Sequence, residues 1–492
     1  MNTKHIYIGA ILIAIVSLWS LFLSQITTIN GDEGFYLVAA QMVSNGAVPY
    51  VDFFYPQMPY LPYILAPVTR ICSTWSSIRI FHSLMPVLIC AFVLLYLRKR
   101  HSFSCGVLGT VFLASNSLFM PMHIILKPYG LSTLFMYLAV LFVLLLHGDN
   151  GFRFISKRRQ YIFALSAGLF GSLSIGTRLT MIFPFLVIAL FLIYQRNMFL
   201  LLTFIAGSCI GACGILVSMF MHFDSFIFNN LTYHSIRSSD GLIGNLKQKV
   251  GCVREFANDS QYITLLIFAL FGTFRLHRSE RMLLWSVVIG IWISAVLPTP
   301  VWHQYFTTSV PFLILLGAPA LCMLNRRSCL ALCSLLCLYV CIHIYDAKWR
   351  SIWRPPLHTH SIACMQRING LINAVTTNRE SIISNWPGYL YGSHATIIPG
   401  MENHFSNQVY IELGKETAES YSIINYGNIG LYIKSNNPPV ILENAVSFWK
   451  LEWSDREGYT RVWNEENASV YIANNRLDLI DDSLRASSKA QP

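Results

Sequence analysis

The sequence predicts an all-α polytopic membrane domain of about eleven helices, followed by an extracytoplasmic α/β domain at the C-terminus. Three observations predict it. Of the 492 residues, 54% are hydrophobic and only 12% charged, against roughly 25% charged in soluble domains. Apolar runs near the length that crosses a bilayer recur as far as Tyr345. Beyond that point the chain turns polar and mixes strand-like with helix-like patterns.

The apolar runs fall at 6–26, 79–97, 103–121, 129–147, 161–177, 179–194, 199–221, 261–274, 282–297, 307–324 and 328–345. The first is longer than the hydrophobic region of a signal peptide and no A-x-A-like site follows it. It therefore reads as a retained span. Lys and Arg accumulate on cytoplasmic loops, which fixes the orientation. With the N-terminus cytoplasmic, that side carries Arg98-Lys99-Arg100, Arg153, Lys157-Arg158-Arg159, Arg196, Arg275, Arg278, Arg281 and Arg326-Arg327. Asp32, Glu33, Asp52, Asp224, Asp240, Glu255 and Asp259 then lie outside, with Asp149 and Glu280 as exceptions. An odd number of spans puts the C-terminal domain outside too. The net charge of +11 is thus a topology signal, not a nucleic-acid surface. Most of the 12 cysteines lie in apolar stretches and no CxxC pair occurs, so neither a disulfide framework nor a zinc site is indicated.

The membrane domain covers 1–345 and has two long external loops, 27–78 and 222–260. In the first, Phe35, Val38, Ala39 and Met42 recur at helical spacing after Asn30-Gly31-Asp32. That pattern predicts a short amphipathic helix lying on the membrane. The segment 56–71 is aromatic and proline-rich, which suits the interface. The soluble domain covers 346–475. Ile362, Met365, Ile368, Leu371, Ile372 and Val375 make one helix face. Strands are expected at 381–384, 396–398 and 439–442, and a hairpin around 464–467 ends in 469–473. Residues 476–492 read as a solvated polar tail.

Asp32-Glu33 is the sharpest chemical feature, because two carboxylates follow the first span on the outside. A carboxylate there can serve as general base toward an acceptor hydroxyl or amine. Acids in the first turn of a helix also complement its dipole without any chemistry. Lys127 and Arg178 fall at outer ends of spans, where they suit a phosphate group. Snorkelling toward headgroups is the alternative for both. His303 and Tyr305, in Trp302-His303-Gln304-Tyr305, can contact the same phosphate or simply belong to an interfacial belt. Asp52, Tyr55, Tyr60 and His234 are candidates for lining the substrate site.

Gly31-Asp32-Glu33-Gly34-Phe35-Tyr36, followed by Gly46-Ala47-Val48-Pro49-Tyr50-Val51-Asp52-Phe53-Phe54-Tyr55-Pro56-Gln57-Met58-Pro59-Tyr60, resembles the first external loop of GT-C glycosyltransferases. The pattern is that of protein O-mannosyltransferases and lipid A aminoarabinose transferases. Weaker echoes are Lys127-Pro128-Tyr129, Gly176-Thr177-Arg178 and His303-Gln304-Tyr305. The resemblance implies a GT-C fold in a bacterial inner membrane, with Asp32 as base and Glu33 as the second acid of the pair. It also implies a polyprenyl-phosphate monosaccharide as donor of a hexosyl or pentosyl group. Some members carry another acid near the loop between the third and fourth spans, where this chain has Lys127-Pro128-Tyr129-Gly130. A two-acid base would then need Asp52 or Asp224.

The expected reaction is an inverting transfer to an extracytoplasmic lipid, glycan or protein of the cell envelope. Phosphate is already a good leaving group, so a divalent metal is not required by this chemistry. A transporter or flippase would place ionisable groups at the bilayer midplane, where this sequence has almost none. An O-antigen polymerase or ligase would carry its large loop between late spans.

Overall fold

The computed structural model describes residues 3–146, 156–236, 241–323, 360–408, 413–424, 429–444, 456–465 and 468–480, with a few more between 327 and 338. The membrane part begins with α1 (Thr3–Ile26), α2 (Gly31–Ser44), α3 (Tyr60–Ile71), α4 (Trp75–His82), α5 (Leu84–Arg100) and α6 (Phe103–Ala114). It continues with α7 (Phe119–Ile124), α8 (Pro128–Leu146), α9 (Lys157–Thr177), α10 (Ile182–Tyr194), α11 (Met198–Met221) and α12 (Phe223–Ile227). The last helices are α13 (Tyr233–Ile236), α14 (Gly241–Ala257), α15 (Ser260–Thr273), α16 (Arg278–Val296) and α17 (Val310–Leu321).

Among the described residues six helices are long and apolar enough to cross a membrane, fewer than the eleven runs expected from hydropathy. They are Thr3–Ile26, Trp75–Arg100, Pro128–Leu146, Met198–Met221, Arg278–Val296 and His303–Leu321. Phe103–Ala114, Leu179–Tyr194 and Ser260–Thr273 are apolar but shorter. At about 1.5 Å per residue they fall short of a hydrocarbon core of about 30 Å. The 103–121 run is cut because Asn116 Oδ1 accepts from the Leu118 and Phe119 amides at 3.1 and 2.8 Å, which starts a new helix. The 161–177 run lies in α9, whose glycines and serines make it less apolar. The run 328–345 falls largely outside the described residues.

Two glycine-lined helices make the tightest crossing. A Cβ at Gly168 of α9 would lie 2.0 Å from the Phe204 carbonyl oxygen, and one at Gly207 of α11 would lie 2.0 Å from the Leu165 oxygen. Gly207 and Gly211 form a small-xxx-small stripe that lets the backbones touch, a membrane-type contact held by dispersion. Tyr60 anchors α3 to this pair. Its ring fills the space beside Gly176 and Gly214, its hydroxyl donates to the Gly211 carbonyl at 2.7 Å, and it accepts from the Ile215 amide at 3.2 Å.

The C-terminal part holds α18 (Ile362–Val375), β1 (Ser381–Ser384), β2 (Thr396–Ile397), β3 (Val440–Asn444), β4 (Tyr459–Glu465) and β5 (Ala468–Ala473). The sheet runs β2-β1-β3-β5-β4, with β1 parallel to β2 and β3, and β5 antiparallel to β3 and β4. Met365, Ile368, Leu371, Ile372 and Val375 form the buried face of α18. The chain stays ordered past 476: Arg476 pairs with Glu380 at 2.6 Å, and Ile480 is buried.

The helix expected to lie on the membrane is α2, but residues 33–40 are all buried. It packs against α3 on one side and the C-terminal domain on another. A Cβ at Gly34 would lie 2.7 Å from both Gly388 Cα and the Trp386 ring, so only glycine allows this approach.

The α9–α11 contact yields a stability test. Gly168→Ala and Gly207→Ala should each destabilise the purified protein by about 1–3 kcal/mol through overpacking, read as a lower Tm in detergent. Gly251→Ala in α14 meets nothing within 4 Å and should leave Tm equal or slightly higher.

Candidate active site

The two acids that open α2 point in opposite directions. Asn30 caps the helix: its side chain accepts from the Asp32 amide at 3.1 Å, and Glu33 Oε1 accepts from the Asn30 amide at 2.7 Å. This capping box turns Glu33 inward. Glu33 is fully buried and meets Arg79 Nη2 at 2.7 Å and Nε at 3.1 Å. Its Oε2 also accepts from the Leu126 amide at 3.0 Å. Arg79, equally buried, donates to the carbonyls of Ser24, Thr27 and Thr28.

Asp32 turns outward, with 33% of its side chain exposed, and meets Lys127 Nζ at 2.6 Å. Lys127, 3% exposed, follows the residue whose amide Glu33 holds, so the inner acid places the cation that faces the outer one. Pro128 then begins α8, and the N-terminal residues Pro128 and Tyr129 border the same space. A helix N-terminus favours anions there.

Arg178 follows α9 in extended backbone and is 8% exposed. Its guanidinium carbon lies 4.7 Å from the ring centroids of both Tyr129 and Tyr305. Among the described residues no ion pair or hydrogen bond holds this guanidinium. Burial pushes the Tyr36 phenol well above its ordinary range, with Tyr55 and Asp32 adding to the effect. Tyr36 therefore stays a neutral hydroxyl beside the acid.

These groups line a cavity of about 1020 Å³. Asp32, Lys127, Arg178, Tyr305 and His234 all reach it, and His234 Nε2 lies 3.0 Å from the Pro56 carbonyl oxygen. The others proposed from sequence lie elsewhere among the described contacts. Glu33 is sealed under α2. His303 is exposed and outside the lining. Asp52 caps a turn, accepting from the Val48 amide at 2.7 Å. Tyr55 is buried among Phe35, Tyr36, Tyr50 and Phe53. Tyr60 fills its glycine notch, and Asp224 sits in the first turn of α12.

Sequence reasoning missed Arg79, the first residue of the expected 79–97 run. It also missed Asn230 and the far wall of the cavity, built by Asn385, Trp386, His404, Phe405 and Asn444. No local pattern marks those positions, because only the fold brings them to α2. Among the described residues no three His, Cys, Asp or Glu side chains gather as metal ligands.

No protein-family model and no curated protein sequence matches this chain. Solved structures do. ArnT from Cupriavidus metallidurans bound to undecaprenyl phosphate superimposes with a TM-score of 0.69 at 11% identity, over 98% of this chain and 100% of that one. The apo state of ArnT gives 0.66 at 12% identity, over 96% and 98%. Archaeal oligosaccharyltransferase AglB from Archaeoglobus fulgidus is more distant, at 0.48 and 12%, over 89% and 69%. The chain shares the fold of ArnT, membrane helices and C-terminal sheet domain together.

Two outcomes test the electrostatics. Arg79→Met leaves the Glu33 charge buried and unpaired, and should cost about 3–5 kcal/mol in unfolding measurements. Asp52→Asn should stay within about 0.5 kcal/mol, and adding Glu33→Gln to Arg79→Met should recover part of the loss. A second group is Glu402, two residues before His404, whose carboxyl is pushed by burial from 4.5 up to about 7. A raised folded-state value means the folded state binds the extra proton, so stability is full below pH 4.5 and declines as pH rises toward 7. Glu402→Gln should flatten that part of a Tm-against-pH curve and raise Tm at neutral pH.

Proposed function

We propose that this chain is a membrane glycosyltransferase that moves a monosaccharide from a polyprenyl-phosphate carrier to an extracytoplasmic acceptor. The observation that carries the reading is Arg178, a buried cation set against two adjacent aromatic rings and bordering a cavity that also contains Asp32 and Lys127. A buried charge with no ion-pair or hydrogen-bond partner among the described residues is costly, and an anionic ligand offsets it. The cavity adjoins the N-terminus of α8, which suits a phosphate. The fold shared with ArnT, bound in one structure to undecaprenyl phosphate, supports the choice of a lipid phosphate.

In this reading the donor phosphate engages Arg178 and Lys127. Drawing Lys127 away from Asp32 breaks the 2.6 Å ion pair and frees that carboxylate oxygen to face the acceptor. Asp32 takes the acceptor hydroxyl proton, and the oxygen attacks the anomeric carbon from the face opposite the phosphate. The bond from the anomeric carbon to the phosphate oxygen breaks with its electron pair on the phosphate, and configuration inverts. Arg178 and Lys127 stabilise the charge gathered on the leaving group. Glu33 acts with Arg79 to place Asp32 and Lys127, and does not meet substrate. The positive-inside pattern puts the cavity and the C-terminal domain on the extracytoplasmic side.

Purified protein in nanodiscs should transfer sugar from polyprenyl-phosphate monosaccharides to envelope acceptors and should not accept nucleotide-sugars. Asp32→Asn leaves the Asn30 cap in place and replaces the Lys127 ion pair by a neutral contact, so Tm should fall only modestly while turnover falls about 10²- to 10⁴-fold. Parental turnover in a folded Asp32→Asn protein would remove Asp32 from the chemistry. Equal transfer from a nucleotide-sugar without lipid would remove the donor assignment.

A further inference from the structure

We propose that Trp386, in the C-terminal domain, is a positioning residue for Asp32. The proposal rests on the glycosyl-transfer reading for its rate measurement and on geometry for the rest. The C-terminal domain grips residues 29–34 at three points. Ile29 and His360 exchange backbone hydrogen bonds at 2.7 and 3.3 Å. Trp386 Nε1–H donates to the Gly31 carbonyl at 2.6 Å. Gly34 lies so close to Gly388 that a Cβ would come within 2.7 Å of its Cα. Asp32 sits between the second and third points, so its backbone cannot shift without breaking one of them.

The indole is itself fixed. It is 4% exposed, stacks on Trp75 with centroids 6.1 Å apart and planes at 17°, and meets Tyr389 edge-on at 4.8 Å. Trp75 begins α4, the helix that also carries Arg79. The capping box and the Glu33–Arg79 pair therefore hold α2 from the membrane side, and Trp386 holds it from the other. Trp386 also borders the cavity, so one rigid plate touches both the substrate space and the peptide preceding Asp32. A misplacement of about 1 Å can lower turnover about 100-fold, and a base held through a single peptide link is sensitive to such a shift.

The test uses the full-length protein in nanodiscs and two variants. Trp386→Phe keeps an aromatic plate and removes the N–H donor. Gly388→Ala keeps the indole but adds a methyl that would lie 2.3 Å from its ring. In both, amide hydrogen exchange at residues 30–36 should quicken, and turnover should fall by up to about 100-fold. Affinity for undecaprenyl phosphate, whose proposed contacts are Arg178 and Lys127, should stay near parental, and kcat should fall by more than KM rises. Parental exchange at 30–36 together with parental turnover in both folded variants overturns the proposal. A general rise in exchange across the C-terminal domain with loss of undecaprenyl phosphate binding also overturns it, since Trp386 would then be an ordinary core residue. If the parental protein transfers no sugar yet the variants loosen 30–36 selectively, the positioning link stands and the glycosyl-transfer reading fails.

Discussion

One fully buried ion pair, Glu33 with Arg79, sets the register on which the cavity depends. Removing two charges from water costs several kcal/mol per ion, and an apolar pair of equal shape would often be as stable. The pair persists here with its hydrogen-bonding capacity used. Glu33 accepts from Asn30, Arg79 and Leu126, while Arg79 donates onward to three carbonyls that end α1. Three segments distant in sequence, 24–33, Arg79 and Leu126, are thereby locked in one arrangement. Any slip of α2 against α4 would strand a charge in the interior, so the pair rejects alternative packings more than it adds stability. The residues delivered to the cavity by those segments, Asn30, Asp32 and Lys127, inherit that precision.

The cavity's two cations are held differently, and the difference matters chemically. Lys127 is neutralised by Asp32 at 2.6 Å, whereas Arg178 is held by ring faces alone among the described residues. A guanidinium is planar and weakly hydrated, so two neighbouring phenol rings can hold it and leave N–H groups available. An ammonium at the same place would lose its hydration without such compensation. In the proposed reaction an incoming phosphate meets an open cation first and then competes for a paired one. Donor binding is thus linked to release of the base, which keeps Asp32 engaged while the site is empty.

Much of this was legible in the sequence, for identifiable reasons. The Asn30-Gly31-Asp32-Glu33 start of α2 carries its capping signal locally, and strands β1 and β3 and helix α18 announce themselves by periodicity. Asp32, Lys127 and Arg178 could be singled out because charge at the outer end of an apolar run is conspicuous. The span count was less legible, since hydropathy does not see the Asn116 cap that breaks one run into two helices. Glu33 could not be separated from Asp32, because adjacent helix positions differ by a rotation whose partner, Arg79, is 46 residues away. Trp386 and Gly31 are 355 residues apart, and no local pattern joins them. Asp52 and Tyr55 share an aromatic motif with true lining residues, and only packing tells a turn cap and a buried ring from a wall.

The burial of α2 also bears on what competes with the acceptor. A carboxylate poised beside an activated sugar would use water as readily as a hydroxyl unless water is excluded or misplaced. As an exposed interfacial helix, which is how its sequence reads, α2 would leave Asp32 open to solvent. Instead α3 and the C-terminal domain together bury residues 33–40, the latter against Gly34 and Phe35, and it supplies one wall of the cavity through Asn385, Trp386, His404 and Phe405. Because that wall comes from the far end of the chain, the cavity is completed only when the C-terminal domain docks. A nascent or partly folded chain would have Asp32 and Arg178 in the membrane domain but lack the wall that orders α2. On the proposed reading, docking thus does two things at once: it orders the base and limits the water that reaches it.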